Sequence, residues 1–123
     1  MALKQNINPL SGNFDLTNKE KGVVDTTPIT ESGTLELSNA DQYLQVNSAT
    51  AVDITIPPNS SVAFAIGTEI TFEQIGLGEI NFVEGSGVTI NSYEASDSTA
   101  GQYATATLKK TDTDTWNLTG VIY

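Results

Sequence analysis

From residue 31 to its end, the chain is built of short segments in which apolar and polar residues alternate. Val52-Asp53-Ile54-Thr55-Ile56 is the clearest, with three apolar side chains on one side and Asp and Thr on the other. Alternation with a period of two is typical of a β-strand that has one buried face. Similar segments lie at 34–37, 42–46, 67–75, 79–84, 88–90, 102–110 and 115–121, with turn residues between most of them. About eight short strands spaced in this way predict an all-β fold, an antiparallel β-sandwich or jelly-roll-like body.

Neither helices nor a doubly covered parallel sheet are expected beside these strands. No window of ten or more residues has apolar residues at helical spacing, as an amphipathic helix would require. The strands alternate instead of being apolar throughout, which argues against a parallel sheet that is buried on both faces. The sequence therefore predicts one β-body over residues 31–123.

The first 30 residues show no sustained period of either kind and are predicted to form an extended N-terminal arm. Isolated apolar residues are spread there among asparagine, proline, glycine and threonine. The net charge per segment changes at a similar position in the chain. Residues 1–21 have three Lys and two acids, net +1, whereas residues 22–123 have two Lys and thirteen acids, net −11. Such an arm either lies along the side of the body or becomes ordered only against a partner.

The composition excludes most enzyme chemistry. The 123 residues contain no Cys and no His, which rules out thiolate nucleophiles, zinc held by these residues and Ser-His-Asp triads. All five basic residues are Lys, in a chain of formal charge −10, which argues against binding to nucleic acid or to an anionic membrane. We therefore expect no enzyme activity and no cofactor.

Two groups of acidic residues have a chemical interpretation and a structural one. Asp112 and Asp114 stand two apart, as in part of a calcium loop, but they fall between two alternating segments, where Asp-rich tight turns are common. Paired carboxylates can cleave glycosidic bonds, yet outward-facing acids on a sheet more often keep it soluble and protect its edges. We expect a turn at residues 112–114 and a solvated location for the four clustered glutamates, which are Glu69, Glu73, Glu79 and Glu84.

Three further segments are predicted to be architectural. The glycine-rich segments 76–78 and 85–87 are predicted hairpin turns. The stretch 57–66 is predicted to be a corner, because its two prolines cannot donate ladder hydrogen bonds and so end a strand. Its three larger apolar residues, which alternate with alanines, are expected to pack under the body; they are Val62, Phe64 and Ile66.

The single tryptophan lies in the last alternating segment. Trp116 and Leu118 share the inward-looking face of that strand. A large aromatic residue in this position is typical of a core or of a subunit interface, and both interpretations are open at this point.

Short motifs occur in a definite order along the chain. They are DQYLQVN (41–47), ITIPPN (54–59), IGTEI (66–70), GSGVTIN (85–91) and DTWNLTG (114–120), preceded in the first part of the chain by NPLSGNFDL (8–16). Each motif alone is ordinary strand or turn chemistry, but their order resembles a small β-domain that recurs in virion proteins of tailed bacteriophages. The segment NPLSGNFDL is similar to openings of phage fibre and other virion-surface proteins.

The resemblance implies a non-enzymatic structural protein on the virion surface, present in the host cytoplasm before assembly and often a homotrimer. Fibre proteins with this module are usually longer and carry shaft repeats that this chain lacks. This difference favours a capsid decoration or cement protein, or a head-fibre base, bound to the major capsid protein. The alternative is a tail or tail-fibre component that attaches to tail subunits or binds a receptor or glycan. The arm residues expected to contact the partner are Leu3, Lys4, Ile7, Asn8, Pro9, Leu10, Phe14, Leu16, Lys19 and Lys21.

Overall fold

A computed structural model describes residues 27–123 in full and, before them, only the backbone pairing of three two-residue strands. Of these, β1 (Asn8–Pro9) pairs antiparallel with β2 (Gly12–Asn13), and β3 (Val23–Val24) joins the body. In the part described, no helix is long and apolar enough to cross a membrane.

Residues 27–123 form eight strands and two short 3₁₀ turns, which confirms the all-β prediction. The 3₁₀ turns are Leu37–Asn39 and Tyr93–Ala95. The strands are β4 (Gly33–Thr34), β5 (Gln42–Val46), β6 (Val52–Ile56), β7 (Glu69–Gln74), β8 (Ile80–Glu84), β9 (Thr89–Ser92), β10 (Thr105–Asp112) and β11 (Thr115–Gly120).

The strands form two sheets that share one hydrophobic core. The larger sheet has the order β3-β5-β7-β10-β11-β9, and the smaller has the order β4-β6-β8. Inward-facing side chains from both sheets contribute to the core, including Leu44, Ile54, Phe72, Phe82 and Leu108. The predicted alternation is seen directly, since β7 and β10 each bury every second residue over most of their length.

Strand direction differs from the prediction, because only β7, β10 and β11 pair antiparallel within the body. The chain passes from β5 to β6, then to β7 and β8, and changes sheet at each step. As a result β5 lies parallel to β7 and β6 lies parallel to β8, both at an offset of 28 residues, with Tyr43 opposite Thr71 and Val52 opposite Ile80. Here each sheet keeps one face in the core and the other in solvent, so the strands alternate although they are parallel. The usual link between parallel strands and apolar runs depends on helices that cover both faces.

The glycine-rich segments are corners between the two sheets, not the predicted hairpin turns. Residues 76–78 connect β7 to β8 and lie against the preceding corner, where the Gly78 N–H donates to the Ser48 carbonyl at 2.8 Å. A Cβ atom on Gly78 would stand 1.9 Å from the carbonyl oxygen of Thr50. Glycine is therefore required because one backbone turn rests directly on another.

Two predictions about apolar residues are corrected near these corners. Leu37 was assigned to a strand, but it lies in a 3₁₀ turn that Asn39 closes by accepting the Glu36 N–H at 2.7 Å, and its side chain is 58% exposed. In the corner after β6, Phe64 is buried as expected, whereas Ile66 is 64% exposed. A local alternation does not set the direction of a side chain where the backbone turns and the pleat is lost.

The β-body begins before residue 31. Ile29 lies beside Val46 in a parallel bridge, donates its N–H to the Gln45 carbonyl at 2.8 Å and packs against the core. Some of the segment that the sequence assigns to the arm is thus part of the sheet.

Candidate functional site

Most of the predicted arm contacts lie outside the described residues. Asn8 and Pro9 are seen only through the pairing of their backbone with Asn13 and Gly12. The remaining eight, which are Leu3, Lys4, Ile7, Leu10, Phe14, Leu16, Lys19 and Lys21, fall in the part of the chain that the structure does not describe.

Trp116 and Leu118 both lie in the core. Each is 1% exposed, and the Trp116 ring meets the Phe64 ring edge-on at 5.4 Å between centroids. This contact explains why the chain returns under the body after Pro57 and Pro58. Neither side chain is available to stack against a sugar.

Lys110 is a buried cation that was not among the candidate residues identified from the sequence. Its side chain is 2% exposed, and its Nζ donates to Asn59 Oδ1 at 2.7 Å and to the Phe64 carbonyl at 2.8 Å. The amine also lies 5.9 Å from the centre of the Trp116 ring. Extending the alternation of Ala104, Ala106 and Leu108 by one step would have placed Lys110 inside.

Asp112 and Asp114 flank the tight turn between β10 and β11, in agreement with the turn interpretation. The Thr113 N–H donates to Asp112 Oδ1 at 2.8 Å, and the Asn59 N–H donates to Asp114 Oδ1 at 2.7 Å. Asp114 thereby connects this turn to the corner after β6. Within residues 27–123, no group of three or more potential metal-ligating residues converges.

The four glutamates do not form a carboxylate pair, because each has a separate partner. Glu69 Oε2 accepts from Lys109 Nζ at 3.2 Å, and Glu73 Oε1 accepts from Gln45 Nε2 at 3.1 Å, both on the outer face of the large sheet. Glu84 accepts the Ile90 N–H at 2.7 Å, and Glu79 accepts from the Tyr123 hydroxyl. These contacts fit the solvated structural role that the sequence predicts for acids on a sheet.

Two tyrosines titrate above the usual range because of their surroundings. Partial burial raises the pKa of Tyr43, and the neighbouring Glu73 carboxylate raises it further. The hydrogen bond to Glu79 is the main cause that raises the pKa of Tyr123. Both shifts favour the neutral phenol, the form that can donate a hydrogen bond.

Exposed aromatic groups gather at one end of the body, here called the aromatic tip and formed by residues 93–98 and 121–123. Tyr93 is 81% exposed and Tyr123 is 62% exposed. The two segments are held together where Tyr123 and Ser98 exchange backbone hydrogen bonds at 2.8 and 3.1 Å.

The aromatic tip has a constrained backbone and lies between two clefts. Glu94 and Ala95 both have left-handed backbone angles, φ 55° and 57°, which are uncommon for residues with a side chain and are often retained at binding sites. A cleft of about 480 Å³ opens on one side, with Phe82 and Ile90 in its wall, and one of about 330 Å³ opens beside Tyr93.

The charged groups of the body are mainly acidic. Residues 27–123 contain twelve acids and two lysines, a formal charge of −10. Since Lys110 is buried, Lys109 is the exposed basic side chain of these residues. Surfaces of this sign repel nucleic acid and one another at low ionic strength.

Comparison with known proteins identifies no relative: no protein-family model matches the chain, and no curated protein or solved structure matches it. Any functional assignment therefore depends on the motifs, charges and contacts described above.

Proposed function

We propose that this chain is a bacteriophage virion structural protein, a trimeric capsid decoration or cement protein anchored by its N-terminal arm. The observation that carries the proposal is the contrast between a strongly acidic β-body and a near-neutral segment with scattered apolar residues before it. In residues 27–123, the buried aromatic rings pack in the core, and acids such as Asp114, Glu69 and Glu73 serve in corner contacts and strand pairing. The order of motifs along the chain, which resembles a phage virion domain, supplies the class of particle.

The arm provides the contact area in this proposal. An extended segment can cover a larger surface than a body of about 100 residues, although part of the binding free energy is spent on ordering it. Three arms in a trimer bind together, so that weak individual contacts become strong through avidity. The acidic body then faces outward and keeps particles apart by mutual repulsion.

Deletion of residues 1–20 tests the arm directly. The truncated protein should keep its β-type circular dichroism, its thermal transition and its oligomeric state in light scattering, because strands β3 to β11 are intact. Its binding to phage heads that lack the protein should be lost in a sedimentation assay. A matched full-length variant, Lys4→Gln with Lys19→Gln and Lys21→Gln, retains the apolar residues and should bind more weakly with less dependence on salt. A truncated protein that still coats the heads would contradict the proposal.

A second candidate function, a tail component that binds a receptor or glycan, is favoured by the aromatic tip. Exposed tyrosines beside a constrained loop are typical of recognition surfaces, where an aromatic ring gives contact area at low entropic cost. The experiment mixes labelled protein with host cells and, separately, with empty heads. Binding to cells but not to heads, abolished by Tyr93→Ala and unaffected by Tyr103→Ala, would replace decoration by attachment. Tyr103 is a suitable control because it is also largely exposed, at 67%.

A further inference from the structure

The amine of Lys110 and the side-chain amide of Asn59 lie in contact inside the body. Lys110 Nζ is 2.7 Å from Asn59 Oδ1. Because a carbonyl bond is about 1.2 Å long, the amide carbon is within about 4 Å of the amine nitrogen. Reacting atoms held about 3–3.5 Å apart are close to the geometry in which an intramolecular reaction is strongly accelerated.

The surroundings of Lys110 are unusual for a lysine. The side chain is 2% exposed and packs near Trp116, and none of the described carboxylates forms an ion pair with it. Buried charges in proteins are normally paired, because removing an ion from water is unfavourable. Conversion of the ammonium into a neutral amide would remove that cost. Lysine amines shielded from water are also known nucleophiles in enzymes.

Asp114 holds the backbone of Asn59 beside this contact. Its Oδ1 accepts the Asn59 N–H at 2.7 Å, which fixes the backbone from which the Asn59 side chain reaches Lys110. Asp114 is therefore a positioning residue for the contact.

We propose that Lys110 and Asn59 join spontaneously in an isopeptide bond, and this proposal does not depend on the virion role. Lys110 Nζ forms a bond to Asn59 Cγ, and the bond from Cγ to Nδ2 breaks. The ammonium and the primary amide become a secondary amide and an ammonium ion, so charge and atoms balance and no oxidant or reductant is needed. Two protons pass from Nζ to the departing Nδ2, which leaves as the ammonium ion.

The bond would tie the corner after β6 to β10, two segments far apart in the sequence. A covalent link between residues 59 and 110 reduces the number of conformations open to the unfolded chain, as a disulfide does in an extracellular protein. The chain, which has no Cys, would thereby gain a cross-link that reducing agents cannot break.

Intact-mass spectrometry of the denatured full-length protein tests the proposal. The wild type should be lighter than its sequence mass by one ammonia, about 17 Da, because the amide nitrogen leaves. Proteolysis should give one branched peptide containing both Asn59 and Lys110. Wild type at its full sequence mass, without the branched peptide after prolonged incubation of the folded protein, overturns the proposal.

Three variants separate the cross-link from other losses of ammonia. Lys110→Arg keeps a buried cation but lacks the amine, and Asn59→Ala lacks the acyl group, so both should have their full sequence mass. Asp114→Ala removes the acceptor of the Asn59 N–H and should slow the mass change at least tenfold while the circular dichroism spectrum stays that of the wild type. A loss of ammonia that persists in Lys110→Arg would identify cyclisation of an asparagine or of the chain terminus instead, and would contradict the proposal.

Discussion

Two halves of the body use the same alternating pattern but pack in different ways. In the coiled half, residues 42–86, the chain passes twice through both sheets. The strands of the second pass lie parallel to those of the first, and paired residues are 28 positions apart. The hairpin, β10 and β11, pairs antiparallel through a tight turn and places Leu108 and Trp116 in the core. In the coiled half, the narrow space between stacked corners limits which residues fit, since a Cβ atom on Gly78 would clash with the backbone of the preceding corner. In the hairpin the limit is the volume that side chains must fill. Substitutions that add atoms should therefore destabilise the coiled half, and substitutions that remove atoms should destabilise the hairpin.

The largest effect is expected from Gly78→Ala in the coiled half. The new Cβ would lie 1.9 Å from the Thr50 carbonyl oxygen, and neither backbone can move without breaking the parallel ladder. We expect a loss of more than about 4 kcal/mol in the free energy of unfolding, measured by urea denaturation. Gly101→Ala is the matched control: no heavy atom lies within 4 Å of its added Cβ, and the change should stay within about 1 kcal/mol. Equal stability of the two variants would disprove the stacking of corners.

Removal of the hairpin's largest side chain should be nearly as costly. Trp116→Ala leaves a cavity beside Phe64 and should lower the free energy of unfolding by about 3–5 kcal/mol. Asn117→Ala, one position along on the outer face, should change it by about 0.5 kcal/mol or less. The comparison of the two halves would fail if Trp116→Ala were tolerated as well as Asn117→Ala, because the hairpin would then not depend on filled volume.

A smaller effect is expected where a buried hydroxyl connects the segment after β9 to the coiled half. Thr99 donates to Gln74 Oε1 at 2.6 Å and accepts the Ile80 N–H at 2.8 Å, and it is fully buried. Thr99→Val keeps the shape but leaves both partners unsatisfied, which should cost about 1–3 kcal/mol in thermal unfolding. Thr107→Val is the control, since its hydroxyl lies on the outer face and pairs with the Thr71 hydroxyl at 2.9 Å. A larger loss in the control would mean that polar contacts on the outer face, and not buried ones, hold these segments.

The smallest effect concerns the ion pair that joins the two halves on the surface. Lys109→Met removes the 3.2 Å contact with Glu69, and because the pair is solvated we expect a loss of about 1 kcal/mol or less. The difference from wild type should shrink in 1 M salt, where surface charges are screened. Lys109→Arg retains the charge and should behave as wild type. A salt-independent loss larger than that of Thr99→Val would show that the halves are held by charge more than by the core.

The strands and their inward faces could be predicted because they depend on local pattern. All seven segments predicted after residue 40 contain a strand of the large or small sheet within their bounds or within two residues of them, as with 52–56 and 115–121. Trp116 and Leu118 were placed on the correct face because the pleat carries alternation without interruption along β11. Ile66 and Leu37 were misplaced because the pleat is lost at a corner and in a 3₁₀ turn.

Less of the candidate site could be predicted from the sequence. Asp112 and Asp114 were recognised as turn residues, but the contact from Asp114 to Asn59 spans 55 positions. The inward position of Lys110 could have been found from the alternation along β10, but its partners depend on the corner after β6 folding beneath that strand. Strand direction was also hidden, since a parallel strand exposed on one face has the same alternation as an antiparallel one.

The sequence by itself determined that the chain is all-β, where its strands run, which face of each is buried and that the body is acidic. These properties follow from side-chain polarity and spacing, which act locally. Only the tertiary structure decided that successive strands alternate between two sheets, that corners stack so closely that Gly78 must be glycine, and that Lys110 meets Asn59 inside the core. Those properties depend on contacts between segments 28 to 51 positions apart, for which the deciding quantity is the space left when both segments are in place.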